Sequence, residues 1–136
     1  MYTHQIRRTI SLAVLGVLVG VPAALAQRTE IQRLQRMLDQ AQAELQLLQV
    51  RADSLDGQID QMDQNIADWT LLYRQTGNPD YLNRVRQGQQ IVAEWEAQLG
   101  KLEVQIKNLE IYIQDLKAKI ERLQRQVPKP PGGGRT

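Results

Sequence analysis

The sequence has no cysteine, no phenylalanine and a single histidine, His4. Without cysteine there is no disulfide framework, no thiolate nucleophile or metal ligand, and no lipid-modified cysteine. With its one imidazole beside the N-terminus, the rest of the chain lacks the usual general base and metal ligand. Serine is also scarce: beyond residue 26 only Ser54 remains. The one glycine run, Gly132-Gly133-Gly134, lies in the C-terminal tail rather than ahead of a helix, so no phosphate-cradling loop is present. Carboxylates alone can hydrolyse glycosides, but only in a pocket that raises one of their pKa values, and the pattern described below builds no pocket. No enzyme activity, cofactor or metal is expected.

Two tryptophans and four tyrosines among 136 residues are too few for an ordinary globular core and suit an aliphatic-cored helical rod. Excess charge of one sign is lacking too. The formal charge of +2 comes from 17 basic and 15 acidic residues, and Arg7 and Arg8 sit in an N-terminal segment without acids. Setting those two aside leaves 15 against 15 from Gln27 onward. A neutral chain offers phosphate no bulk attraction, so nucleic acid is not an expected partner.

Residues 1–26 have the layout of a secretory signal. Arg7 and Arg8 form a positive start, Ile10 to Val21 an apolar run, Pro22 a break, and Ala24-Leu25-Ala26 a small-residue cleavage site. Cleavage after Ala26 is expected, placing the protein outside the cytoplasm, most simply in a bacterial periplasm and not inserted in the membrane. The alternative is a retained anchor through residues 10–26, at the short end for a membrane span.

From Ile31 the apolar residues recur at alternating steps of three and four. One register has Ile31, Leu38, Leu45, Ala52, Ile59, Ile66 and Tyr73 at a, with Leu34, Ala41, Leu48, Leu55, Met62 and Trp69 at d. Thr76 is the one d position that fails. A second series has Tyr81, Gly88, Trp95, Leu102, Leu109, Leu116 and Leu123 at d, with Val85, Val92, Leu99, Ile106, Ile113, Ile120 and Val127 at a. An unbroken 3.5-residue period keeps one seam facing a partner only if the helices supercoil left-handedly. The predicted fold is all-α: a two-helix antiparallel coiled-coil hairpin over residues 27–127, each arm about 70 Å long at ~1.5 Å per residue.

The ends of the arms carry stop and start signals. Arm 1 is expected over about 29–75, opened by a capping box in which Thr29 accepts from a backbone N–H and Gln32 reaches back. The turn is expected at 76–80, Thr76-Gly77-Asn78-Pro79-Asp80. There Gly77 closes one helix in the left-handed conformation, and Asn78 caps the next with Pro79 at its first position. Arm 2 is expected over about 79–127, stopped by Pro128, leaving 128–136 as a disordered Pro/Gly tail.

So short a connection makes the arms antiparallel neighbours. An a residue of one arm then layers against a d residue of the other. Ile31 faces Leu123, Leu38 faces Leu116, and so on to Ile66 with Gly88 and Tyr73 with Tyr81; every pair of numbers has the same sum. One register thus serves both arms, and Gly88 leaves space beside Trp69. Gly57 and Gly100 fall near one level, and replacing both with alanine is expected to raise the melting temperature.

Two groups of residues stand out for binding. Near the turn, Trp69, Leu72, Tyr73, Tyr81, Leu82 and Arg84 combine aromatic, aliphatic and arginine side chains, the usual composition of interface anchors. Farther from the turn, Leu47, Val50, Val104, Ile111 and Tyr112 are apolar at positions off the seam, which points to association between hairpins. Asp53, Asp56, Asp60 and Asp63 make an acidic stripe, approached by Glu96 and Glu103, with no calcium-loop spacing.

In organisation, a secretory signal followed by two heptad arms resembles exported coiled-coil proteins of bacterial envelopes. The hairpin arms of murein-hydrolase activators are one type, and the tentacle arms of periplasmic holdase chaperones another. The first resemblance implies a structural or adaptor protein that binds or spaces a protein partner in the cell envelope. The second implies a chaperone whose oligomerised arms enclose unfolded clients. The resemblance extends to no individual site residue.

Overall fold

The computed structural model describes residues 23–127. The predicted leader, apart from residues 23–26, and the predicted tail, 128–136, lie outside the described residues. Within them are two helices and no strand: α1, Ala23–Thr76, and α2, Pro79–Gln126. They pack against each other as the antiparallel two-helix hairpin that the heptads predict.

Burial follows the two apolar series. The buried apolar side chains are Leu34, Ala41 and Ile59 on α1, with Val85, Val92, Ile113, Leu116 and Ile120 on α2. All eight occupy a or d positions. Every other a or d residue is buried or half-buried apart from Thr76, the position at which the periodicity fails. No polar or charged side chain is buried, and no buried side-chain nitrogen or oxygen lacks a hydrogen-bond partner, among the described residues. The seam is therefore wholly apolar, and burial of aliphatic area at ~25 cal/mol per Å² is what holds α1 to α2.

The hairpin divides into two compact units. One joins the chain up to Asp39 with the chain from Gln114, and the other spans Gln40–Ile113. In the first, Leu34, Leu116 and Ile120 form a buried cluster on which Ile31, Met37, Leu38 and Leu123 pack. These residues contain the expected layers Ile31–Leu123, Leu34–Ile120 and Leu38–Leu116. Met37 is an addition from the flank, covering the layer edge with a flexible thioether stem.

In the second unit the register is fixed by a glycine. A Cβ placed on Gly88 would lie 2.9 Å from Ile66 Cγ1 and 3.3 Å from Trp69 Cζ3. Gly88 is therefore the layer partner of Ile66, and the Trp69 indole fills part of the space left by the missing side chain. At Gly57 and Gly100 a Cβ would meet nothing within 4 Å.

The turn forms as its residues dictate. Gly77 is the one residue with positive φ, at 65°, among those described. Its N–H donates to the Tyr73 carbonyl at 2.8 Å, satisfying one of the carbonyls that α1 leaves open at its end. Thr76 Oγ1 donates to the Leu72 carbonyl at 2.7 Å and accepts from the Asn78 N–H at 3.2 Å. Asn78 Oδ1 then accepts from the Asp80 N–H at 3.0 Å, capping α2 two residues on. Asp80, in the first turn of α2, places its charge where the helix dipole favours an anion.

The start of α1 differs from the sequence expectation. The helix is already formed at Ala23, upstream of Thr29. Thr29 Oγ1 donates back to the Leu25 carbonyl at 2.9 Å instead of capping, and Glu30 pairs with Arg33. Ala23-Ala24-Leu25-Ala26 consists of the strongest helix formers. While it is attached, residue 29 is a helix interior and has no unpaired N–H to cap.

Candidate interaction surfaces

A seam between two long helices leaves four kinds of surface: the turn, the two flanks of the seam, and the outward backs of the helices. In an antiparallel pair the e positions of both arms border one flank and the g positions the other. Each candidate residue can be placed on one of these.

At the turn, Trp69, Tyr73 and Tyr81 are half-buried seam residues. Leu72, at g, is 36% exposed, and Leu71 beside it, on the back of α1, is 55% exposed. Arg84, also at g, holds its guanidinium 5.9 Å from the centroid of the Tyr81 ring, within cation–π range. Leu82 is half-buried on the opposite, e flank. The six candidates thus split: three fill terminal layers, two lie on the g flank and one on the e flank. The combination that remains accessible is Leu71, Leu72 and the Arg84–Tyr81 pair.

The five residues farther from the turn are all exposed, from 40% at Tyr112 to 62% at Leu47. They do not make one patch. Val104 and Ile111 sit at f positions on the back of α2, whereas Val50 is at f on the back of α1. Equal level along the seam brings residues 50 and 104 to the same height but onto opposite outer surfaces. Leu47, Val50 and Tyr112 are the members associated with the g flank.

On that flank the structure shows what the apolar pattern alone did not. A groove of about 540 Å³ is lined by residues including Glu44, Leu48, Arg51, Gln105, Leu109 and Tyr112. A second, of about 410 Å³, shares Arg51 and adds Val50, Leu55, Gln58, Gln98 and Leu102. Leu48, Leu55, Leu102 and Leu109 are d residues that remain only half-buried, so the grooves reach down to the seam itself. Reading g positions across both arms, instead of each arm's apolar count, is the signal that points to this surface.

The e flank has the opposite character. Over Gln40–Ile113 its e positions carry Asp56, Asp63, Glu96, Glu103 and Glu110 and no basic residue, with Asp53 and Asp60 adjoining. Among the described residues none of these carboxylates takes part in an ion pair, and no acidic or histidine cluster able to hold a metal ion occurs. A fork of two hydrogen bonds from Arg33, at 2.6 and 2.9 Å, holds the Glu30 carboxyl below the ordinary range. Desolvation opposes this, and the charges of Arg33 and Lys119 add to the lowering.

No helix among the described residues is long and apolar enough to cross a membrane. The chain matches no protein-family model, no curated protein and no solved structure.

Proposed function

We propose that the protein is a non-enzymatic, exported coiled-coil adaptor that binds a protein partner of the cell envelope through the turn end of its hairpin. The observation that carries this reading is the accessible group at the turn. Leu71 and Leu72 stay exposed near the end of α1, and near the start of α2 Arg84 is held over the Tyr81 ring. A rigid, capped turn presents them at little further entropic cost on binding, the condition under which few residues supply much of the affinity. Export rests on the layout of residues 1–26, and the absence of catalysis on the lack of histidine and cysteine from Gln27 onward.

The competing reading is a holdase chaperone with coiled-coil arms. The exposed Leu47, Val50, Val104 and Ile111 side chains favour it, because scattered apolar contacts along an arm suit unfolded clients. A photo-crosslinking residue in place of Tyr81, in living cells, separates the two. One or two discrete adducts identified by mass spectrometry are expected of an adaptor. A broad smear of unrelated envelope proteins would overturn it in favour of the chaperone.

A further inference from the structure

We infer that the g flank of the Gln40–Ile113 unit is a self-association surface, on which a second copy of this chain docks antiparallel about Leu47 and Leu48 to close a four-helix bundle. The inference is independent of whether the turn binds an envelope partner.

Three observations converge on this surface. The first is incomplete burial of the seam. Leu45, Leu48 and Leu55 on α1, and Leu102, Ile106 and Leu109 on α2, are seam residues that none of their neighbours bury fully. Four of them open onto the two grooves of this flank. In a four-helix bundle the same a and d residues are covered by a second helix pair, with d and g positions turned toward it.

The second observation selects the flank. Around the level of Leu47 and Leu48 the e positions carry Glu103 and Glu110, which would oppose each other if two copies met there about the same axis, whereas the g positions carry Glu44 against Arg51, Arg84 being the one other charged g residue of this unit. The remaining g side chains, Gln58, Asn65, Leu72, Ile91, Gln98, Gln105 and Tyr112, are neutral. Like charges across an interface are a strong discriminator against the wrong docking face.

The third observation selects the occupant and its direction. Glu44 and Arg51 line the same groove and take part in no ion pair among the described residues. They stand one heptad apart on one helix face. A two-fold axis crossing α1 midway between them, at Leu47 and Leu48, carries Glu44 of each copy onto the level of Arg51 of the other. It thereby forms two opposite-charge pairs from a single-chain pattern, as an isologous interface requires. The same axis brings Tyr112 to the level of Lys101 of the second copy, an aromatic and a cation that can pair. The other two-fold arrangement, with both turns at one end, stacks α1 on α2 of the second copy. It sets Glu44 against Asn108 and Tyr112, leaving the charges unmatched.

The test uses purified, exported protein with its N-terminus verified by mass spectrometry, and sedimentation equilibrium across roughly 1–100 µM. A reversible dimer is expected. Glu44→Arg and Arg51→Glu should each raise its dissociation constant about tenfold or more, since each turns two attractive pairs into repulsive ones, while the double variant should return to within about threefold of the parent. Restoration by the double variant excludes misfolding as the cause of the single losses. Because the chain has no cysteine, Leu47→Cys under a mild oxidant should crosslink copy to copy, and Gln75→Cys beside the turn should not. A monomer at 100 µM, a dimer indifferent to the charge swap, or crosslinking through Gln75→Cys in place of Leu47→Cys would each overturn the inference.

Discussion

Three glycines inside the helices give one chemical change, Gly→Ala, three different surroundings. All have helical backbone, since only Gly77 has positive φ among the described residues. At Gly57 and Gly100 an added methyl meets nothing within 4 Å. Each replacement should therefore gain the intrinsic helix-propensity difference, ~0.8–1 kcal/mol. Together they give ~2 kcal/mol, or roughly 8–15 °C in Tm for a domain of this size. At Gly88 the same gain meets a methyl only 2.9 Å from Ile66 Cγ1. That atom is not the free end of its side chain, and the β-branched residue has little choice of χ1. Overpacking costs typically ~1–3 kcal/mol, so Gly88→Ala should be neutral at best and more often lose ~1–2 kcal/mol. Thermal unfolding followed by circular dichroism, at one fixed concentration so that the parent and its variants are compared at the same total chain, measures all three. The reasoning is refuted if Gly88→Ala raises Tm as much as Gly57→Ala, or if the Gly57→Ala, Gly100→Ala pair leaves it unchanged.

The remaining predictions concern the two ends of the hairpin. Asn78→Ala removes the acceptor of the Asp80 N–H and should cost ~1 kcal/mol, visible as faster amide exchange at Asp80 and Tyr81. Leu116 is the most buried apolar residue among those described, 2% exposed; Leu116→Ala should cost ~2–5 kcal/mol, with exchange increasing first in the unit that contains Leu34 and Ile120. The Glu30 carboxyl is held below its ordinary range in the folded chain. Its contribution to stability is present above the ordinary glutamate pKa and fades as pH falls through the lowered folded value. A side-chain carboxyl titration by NMR should show the shift, and Arg33→Ala should return Glu30 toward its ordinary value.

Much of this architecture was legible because coiled-coil seams obey a simple geometric rule. The residues that the 3.5-residue period assigns to the seam are the ones that are buried or half-buried, and the shared register predicts that Gly88 faces Ile66, as it does. The turn was equally readable, as Gly77, Asn78 and Pro79 each have one strongly preferred backbone role there. Two features do not follow from the period alone. While Ala23 to Ala26 are attached the helix runs through Thr29, so the capping box expected there applies only to a chain cut after Ala26. Val50 and Val104 share a level along the seam, but their direction around the helix axis sends them to opposite outer surfaces. Level follows from counting along the chain. Direction needs the heptad letter, and the grooves around Arg51 appear only when the letters of both arms are combined.

The two-residue break between α1 and α2 also has a consequence for time. Tyr73 and Tyr81 are eight residues apart in sequence, whereas Ile31 and Leu123 are 92 apart. Closing the short loop first costs the least chain entropy, and each layer formed shortens the effective loop to the next. Folding should run as a zipper from Gly77 toward the chain ends, so that α1 has no lasting partner until the turn has been synthesised and α2 begins to return along it.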